Sequence, residues 1–240
     1  MDVTPDRFPN RDAVSLPFRD RAQAGRLLAE RLRRYRERAG TVVLALPRGG
    51  IVPASEVASA LHLPLDVIIS RKLGAPGNPE LAIGAIAEGG APYFNEEGIA
   101  VTGASEADLA QEVERQRAET ARRQQRFRNG RLLSLPEQAT VILIDDGVAT
   151  GSTAIAAIRA LRERGTARIV FAIPVAPPDT AETLRHMVDE LVVLATPMPF
   201  GAVGFFYEDF RQVSDDDVVD LLKRAETHGF GAETRWPAQG

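Results

Sequence analysis

The sequence predicts an α/β protein: a doubly wound, mostly parallel sheet of about five strands with a flexible loop or hairpin and a small C-terminal hood. Two observations lead to this prediction. Short, continuous apolar runs rich in Val and Ile recur along the chain, and segments with helical spacing of apolar residues separate them. Strands that are covered by helices on both faces have this composition. The length of 240 residues suits a single domain over residues 1–240.

Strands and helices are predicted to alternate along the chain. After a mobile leader over residues 1–18, apolar side chains spaced three or four positions apart predict a helix over 20–39, which Gly40 ends. The predicted strands are 41–46, 65–70, 140–144, 167–173 and 190–194. The predicted helices between and after them are 51–61, 105–128, 152–163, 179–187 and one from Ser214.

Three segments lack the regular spacing of apolar residues that predicts a helix or a strand. Residues 74–94 combine Gly, Pro and Asn with an apolar stretch, which predicts a flexible loop or hairpin completed at 92–94. Residues 196–212 are loop-like and aromatic and form the predicted hood. Residues 230–240 are expected to form a loose tail.

The composition narrows the class of partner. The chain has 29 Lys and Arg against 33 Asp and Glu, a formal net charge of -4, without the basic excess typical of nucleic-acid-binding proteins. It has no cysteine, which excludes disulfides, thiolate metal sites and a cysteine nucleophile. No apolar stretch is long enough for a membrane span or a signal peptide. We therefore expect a cytoplasmic protein with small-molecule partners.

The helix predicted over 105–128 is rich in arginine. Ser105 and Asp108 form a capping-box start, and the segment from Arg115 to Arg131 contains seven arginines and one glutamate. One interpretation is a surface for anionic ligands or nucleic acid. The other is a solvated helix face, which the spread of the arginines all round the helix favours.

The segment from Val141 to Thr153 is the most informative for function. It reads as a buried strand, two aspartates, and a turn of small and hydroxyl residues before a helix. Ligands bind beyond the carboxyl ends of parallel strands, and backbone N–H groups at a helix N-terminus bind phosphate. Two carboxylates beside a phosphate are electrostatically unfavourable unless they accept hydrogen bonds from sugar hydroxyls, bind a divalent cation, or do both. Helix N-capping would satisfy only one of the two aspartates.

This segment resembles the ribose-phosphate signature of type I phosphoribosyltransferases. In that family the two acids hold the ribose hydroxyls of phosphoribosyl pyrophosphate (PRPP), and the turn holds its 5′-phosphate. The resemblance therefore implies a PRPP site formed by Asp145, Asp146, Gly147, Val148, Ala149, Thr150, Gly151, Ser152 and Thr153. It also implies a Mg²⁺ ion near Asp145 and Asp146, held mainly by substrate oxygens.

Two further segments resemble parts of the same family. The segment from Leu46 through Arg48, Gly49 and Gly50 is similar to its pyrophosphate loop, and Arg71-Lys72 to its second basic pair. Taken alone, the two glycines would fit an ordinary tight turn equally well, and the basic pair would fit a solvated pair at the end of a strand equally well. Residues 74–90 occupy the place of the family's flexible loop. The resemblance implies catalytic roles for Asp145, Asp146, Arg48 and Lys72.

The sequence gives little information about which molecule accepts the phosphoribosyl group. Phe205, Phe206 and Tyr207 in the hood are candidates for stacking a base, and the alternative is that they form the core of the hood. Ala149 stands where members of the hypoxanthine-guanine type carry an acid, which argues against a 6-oxopurine acceptor.

The resemblance implies transfer of the phosphoribosyl group of PRPP to a nitrogen nucleophile, expected to be a nucleobase, with release of pyrophosphate. The alternative is a PRPP-sensing regulator that binds nucleic acid through the basic helix, and the acidic net charge argues against it. A hydrolase or kinase of another α/β family would need a nucleophile elbow, a Walker loop or a metal-ligand cluster, and the sequence has none. Its three histidines, His62, His186 and His228, are scattered. A homodimer fits the long exposed helix.

Overall fold

The computed structural model describes residues 14–227. Its strands are β1 (Thr41–Ala45), β2 (Leu65–Val67), β3 (Ser70–Ala75), β4 (Asn78–Ala87), β5 (Tyr93–Phe94), β6 (Thr140–Ile144), β7 (Arg168–Val175) and β8 (Glu190–Ala195). Its α-helices are α1 (Arg21–Arg31), α2 (Ile51–Leu61), α3 (Glu96–Thr102), α4 (Glu106–Arg128), α5 (Ser152–Glu163), α6 (Pro178–Arg185) and α7 (Asp215–Thr227).

The main sheet has five strands in the order β2-β1-β6-β7-β8, all parallel. Successive side chains of each strand point to opposite faces. Val42 and Leu44 pack on one face with residues of α5, whereas Val43 and Ala45 pack on the other with residues of α1, α2 and α7. The predicted doubly wound α/β fold is confirmed.

A second, antiparallel sheet of β3, β4 and β5 lies beside the main sheet. The predicted strand over 65–70 is two strands, because β2 ends at Val67 and Ser70 already pairs with Ala87 in the second sheet. The segment 74–94, predicted as a flexible loop or hairpin, is the hairpin of β3 and β4 completed by β5. Only Pro76 and Gly77 separate β3 from β4, and residues 83–87 of β4 are buried, which favours a strand.

The remaining elements differ from the predictions mainly in their ends. Helix α1 stops at Arg31, and a short 3₁₀ turn follows at residues 33–35. Helix α3 was not predicted. Helix α4 begins with the predicted capping box of Ser105 and Asp108, and Ser214 accepts a hydrogen bond at the start of α7. No helix within residues 14–227 is long and apolar enough to cross a bilayer.

Both chain ends extend outside the described residues. The leader predicted over 1–18 overlaps the described part at residues 14–18, where Phe18 is buried against Tyr207 of the hood. The tail predicted over 230–240 lies wholly outside the described residues. The hood over 196–212 is irregular, as predicted, apart from a 3₁₀ turn at Val203–Phe206.

Candidate functional site

The two acids stand where β6 ends, in the middle of the main sheet. The Asp146 N–H donates to Asp145 Oδ1 at 2.9 Å, and Asp146 Oδ2 accepts from Arg21 Nε at 2.6 Å. The Arg21 and Asp146 side chains are only 10% and 14% exposed. Burial, and next the charge of Asp146, raise the pKa of Asp145 well above its usual value. The pair therefore combines one ion-paired carboxylate with one whose charge is poorly compensated.

A glycine loop, residues 46–50, packs directly on the acids. The Leu46 N–H donates to the Ile144 carbonyl at 2.9 Å. A Cβ on Gly49 would overlap the Asp146 carboxylate, and one on Gly50 would lie 2.7 Å from the Ile144 carbonyl oxygen. The Pro47–Arg48 peptide bond is cis. Close approach to the Asp146 carboxylate thus accounts for Gly49, and close approach to the Leu46 and Ile144 carbonyls accounts for Gly50.

The phosphate turn, residues 147–153, leads from the acids into α5. Gly147 and Gly151 have φ values of +147° and +78°, which favour glycine. Gly151 is the N-cap residue, and within residues 14–227 no side chain caps the first turn of α5. The hydroxyls of Thr150 and Ser152 lie 3.4 Å apart beside it. An uncapped helix N-terminus with hydroxyl donors suits an anion.

Strand β3 starts beside the same turn. The Ser70 hydroxyl donates to the Thr153 carbonyl at 2.9 Å. Lys72 is exposed and shares the face of the strand with Ser70, since side chains alternate. Arg71 points the other way, and its Nε donates to Gln116 Oε1 of α4 at 3.0 Å. Burial, and next the positive charge of Arg123, lower the pKa of Arg71. Lys72 therefore faces the site, whereas Arg71 is turned toward α4.

Arg48, in the glycine loop, lies near the start of α7. Its NH1 is 3.8 Å from Asp215 Oδ1, and Arg122 NH2 of α4 is 3.7 Å from Asp215 Oδ2. Asp215 Oδ1 is buried and accepts no hydrogen bond from the described residues. The guanidinium of Arg48 is thus loosely held and about one third exposed, as a group that contacts an incoming anion must be.

The three aromatic candidates in the hood occupy different environments. The Tyr207 hydroxyl donates to the Asp146 carbonyl at 2.5 Å, and its ring contacts Phe18 and Phe210. Phe206 packs on Phe200, with ring centroids 4.9 Å apart. Phe205 is 77% exposed. Tyr207 therefore belongs to the core of the hood, and Phe205 is the ring with a face open to a ligand.

Arg21 is the site residue that the sequence did not indicate. Besides its bond to Asp146, it donates from NH1 to the Arg211 carbonyl at 2.8 Å, and its guanidinium lies 3.6 Å from the centroid of the Phe210 ring. Arg21 and Asp146 are 125 positions apart, and α1 contains two other arginines, Arg26 and Arg31. No local pattern distinguishes Arg21 from them.

The arginines of α4, and Arg131 just after it, have partners within the chain. Two of the α4 arginines are buried, and the side chains of the other four are at least half exposed, which fits the interpretation as a solvated helix face. Arg123 and Arg128 are the buried ones. The observed partners are Glu112 for Arg115, Glu114 for Arg117, Glu119 and Asp215 for Arg122, Glu119 for Arg123, Asp216 for Arg126, Glu88 and Asp66 for Arg128, and the Arg128 carbonyl for Arg131. The helix thus uses its charges mainly for internal contacts.

We expect the stability of the protein to depend on pH through Asp66. Burial is the main cause that raises the pKa of Asp66 to about 6. A raised pKa in the folded state means that the group contributes stability below about pH 4, which is lost as the pH rises through 6. The variant Asp66→Asn lacks this loss. From pH 4 to pH 7.5, the free energy of unfolding of the variant should therefore rise, relative to that of the wild type, by on the order of 2–3 kcal/mol. Urea unfolding at the two pH values measures the gain, and an equal difference at both would contradict it.

The carboxylates of the site could contribute to a magnesium site only in part. Within residues 14–227 no group of three or more His, Asp or Glu side chains is placed to hold a metal ion. Asp145 provides oxygen ligands, and Asp146 is occupied by Arg21. These donors fit Mg²⁺ that keeps most of its ligands from water and substrate oxygens, and they do not fit a protein cage.

Comparisons with known proteins point to one family. The family model described as "Phosphoribosyl transferase domain" matches residues 19–208. Two Mycobacterium tuberculosis proteins, from strains CDC 1551 and H37Rv, are each 45% identical over 208 residues, 87% of this chain. Both are named "Putative phosphoribosyl transferase". The chain spans about half the length of these curated relatives, 47%.

A solved structure is similar over nearly its whole length. The crystal structure of TT1426 from Thermus thermophilus is 43% identical in sequence and superposes with a TM-score of 0.73. The match covers 87% of this chain and 99% of the Thermus chain. The residues matched by the family model, 19–208, include the acids, the glycine loop and the phosphate turn.

Proposed function

Since the chain belongs to the phosphoribosyltransferase family, we propose that it transfers the 5-phosphoribosyl group of PRPP to a nitrogen nucleophile and releases pyrophosphate. The observation that supports this most is the packing of three loops at one end of the sheet. The glycine loop contacts the acid pair there, and the phosphate turn leads from the acids to the N-terminus of α5, which no side chain of the described residues caps. They offer acceptors for sugar hydroxyls beside donors for two phosphate groups.

Each group of PRPP has a matching part of the site. The N–H groups and hydroxyls of the phosphate turn would bind the 5′-phosphate, and the acid pair would accept the ribose hydroxyls. The glycine loop exposes backbone near the acids, and Arg48 and Lys72 bring positive charge to the pyrophosphate. Arg71 would contribute only if its side chain left Gln116.

The reaction needs little covalent help from the protein. The bond between ribose C1 and the pyrophosphate oxygen breaks while the bond from the nucleophilic nitrogen to C1 forms, and the nitrogen loses a proton. Positive charge from Arg48 and Lys72 would stabilise the departing pyrophosphate. Catalysis would therefore rest on electrostatics and positioning.

Mg²⁺ is the cofactor that we propose. Asp145 is the carboxylate that would hold it first, since it has no ion pair among the described residues, and Asp146 would contribute only if its side chain left Arg21. When bound, Mg²⁺ offsets the negative charge of pyrophosphate.

The hood would hold the acceptor. Phe205 is the most exposed of the three candidate rings, and Phe206 is half-buried beside it. A flat, conjugated acceptor such as a nucleobase would stack on Phe205. Ala149 offers no acid to the acceptor, which favours one whose recognition needs no general acid at that position.

The proposal is tested with labelled PRPP, Mg²⁺ and a panel of nucleobases and other nitrogen nucleophiles, by following release of pyrophosphate. We expect release that depends on both Mg²⁺ and one class of acceptor. The negative control is the variant Asp145→Asn with Asp146→Asn, because pyrophosphate release that persists with this variant would come from a contaminating enzyme. Absence of PRPP binding in calorimetry would contradict the proposal. PRPP binding without release across the panel would favour a sensor.

A further inference from the structure

We propose that Asp215, the first residue of α7, is a counter-charge that competes with pyrophosphate for Arg48 and so weakens the binding of this leaving group. The proposal rests on the proposed function, because that function places Arg48 at the pyrophosphate. It goes further by giving a role to an acid of α7. Asp215 lies beyond residue 208, where the match to the family model ends.

The Asp215 carboxylate lies between two arginines of different elements. Its Oδ1 is 3.8 Å from NH1 of Arg48 in the glycine loop, and its Oδ2 is 3.7 Å from NH2 of Arg122 in α4. The Asp215 side chain is 24% exposed, so solvent screens its charge only in part. The carboxylate therefore lowers the positive potential at the guanidinium that would meet the pyrophosphate.

The two arginines are held with different firmness. Arg122 also donates to both carboxylate oxygens of Glu119, from Nε at 2.8 Å and from NH2 at 2.9 Å. For Arg48, Asp215 is the acid in ion-pair contact among the described residues. Arg48 can thus move from Asp215 to an incoming anion while Asp215 keeps Arg122 as its partner. The exchange leaves no carboxylate without a counter-ion, which would be strongly unfavourable.

The Oδ1 atom of Asp215 favours the return of Arg48 after the reaction. This atom is buried and accepts no hydrogen bond from the described residues. Arg48 NH1 is the donor beside it, at a distance that is too long for a hydrogen bond. Because a buried acceptor without a donor is unfavourable, Asp215 attracts Arg48 when no anion occupies the site. Pyrophosphate binds against this attraction and is released more readily because of it.

The proposal is tested by calorimetry of Asp215→Asn with three ligands in the presence of Mg²⁺. The substitution removes the charge and keeps the shape of the side chain, so the affinities for pyrophosphate and for PRPP should rise about 3- to 10-fold over the wild type. Ribose 5-phosphate lacks the pyrophosphate group, and its affinity should change by less than about 2-fold. The gain should shrink at high salt, which screens partly exposed charges.

Asp216→Asn is the matched control. Asp216 is the next residue of α7, is 76% exposed, and pairs with Arg126. Loss of its charge should change pyrophosphate affinity by less than about 2-fold. Thermal unfolding shows whether each variant is folded. Asp215→Ser, which also removes the charge, is the second variant if Asp215→Asn does not fold, and the same gain is expected.

A double-mutant cycle tests whether the effect passes through Arg48. In the Arg48→Gln background, Asp215→Asn should change pyrophosphate affinity by less than about 2-fold. A general effect of α7 or of net charge would instead give the same gain in both backgrounds, and an equal gain for ribose 5-phosphate. Either result would contradict the assignment of Asp215 to Arg48.

The outcomes separate the two proposals. A wild-type protein that binds neither PRPP nor pyrophosphate would overturn both the proposed function and the inference. A wild-type protein that binds both ligands, with an unchanged or lower pyrophosphate affinity in the folded Asp215 variant, would overturn the inference alone.

Discussion

Replacing both acids by asparagine, Asp145→Asn with Asp146→Asn, is expected to lower the affinity for PRPP by at least about 100-fold and to leave the fold intact. Hydrogen bonds to charged acceptors contribute on the order of 1.5–3 kcal/mol each, and the amides lose both the charge and half of the acceptor oxygens. The fold should survive because an amide oxygen at position 146 still accepts from Arg21. Calorimetry with Mg²⁺ measures the affinity.

The matched control for this variant is Asp179→Asn. Asp179 is exposed in the first turn of α6, which follows a neighbouring strand of the same sheet. The substitution removes the same kind of charge without touching the acid pair, so PRPP affinity should change by less than about 3-fold. Unchanged affinity in the double variant, with the wild type binding PRPP, would remove the acids from the site.

Gly49→Ala is expected to disrupt the site by a single methyl group. The new Cβ would overlap the Asp146 carboxylate, and that side chain is not free to move because Arg21 holds it. Either the loop or the ion pair must shift, and overpacking of this kind costs about 1–3 kcal/mol. We expect a PRPP affinity about 10- to 100-fold lower together with a reduced melting temperature.

Gly98→Ala makes the same chemical change away from the site. Its Cβ would lie 3.3 Å from the Ala82 carbonyl oxygen, and Gly98 is within α3. We expect no change in PRPP affinity. Wild-type affinity in Gly49→Ala, measured by the same titration, would show that the contact between the glycine loop and Asp146 is dispensable.

The main sheet was predictable because its strands are buried on both faces and read as continuous apolar runs. The ends of the elements were less predictable. Ile68 and Ile69 are as apolar and buried as the strand before them, so nothing in the sequence separates β2 from the turn into β3.

The second sheet was predicted only in part, as a possible hairpin, because glycine was interpreted as a loop signal. Gly84 lies in β4, and a Cβ there would overlap the Tyr93 carbonyl of the neighbouring strand. Glycine at that position serves close strand packing rather than a turn. Helix α3 is short and has Gly98 inside it, so its helical period is too weak to detect.

The acid pair and the phosphate turn were predictable because their residues are adjacent in sequence. The Arg21–Asp146 pair was not, because tertiary packing alone brings together residues 125 positions apart. The direction of Arg71 toward α4 likewise depends on Gln116, which lies on a different element. The roles of the individual site residues and the homodimer stay predictions.

The N-terminus of α5 links binding to the energetics of the whole fold. No side chain of the described residues caps this helix, and α5 packs along the middle of one face of the main sheet with Ala154, Ala157, Ile158 and Leu161 fully or almost fully buried. A bound phosphate would provide the acceptors that the chain does not. Ligand that binds only the folded state stabilises it in proportion to the logarithm of its concentration. The fraction of the protein that is folded would therefore increase with the concentration of the phosphate-bearing ligand.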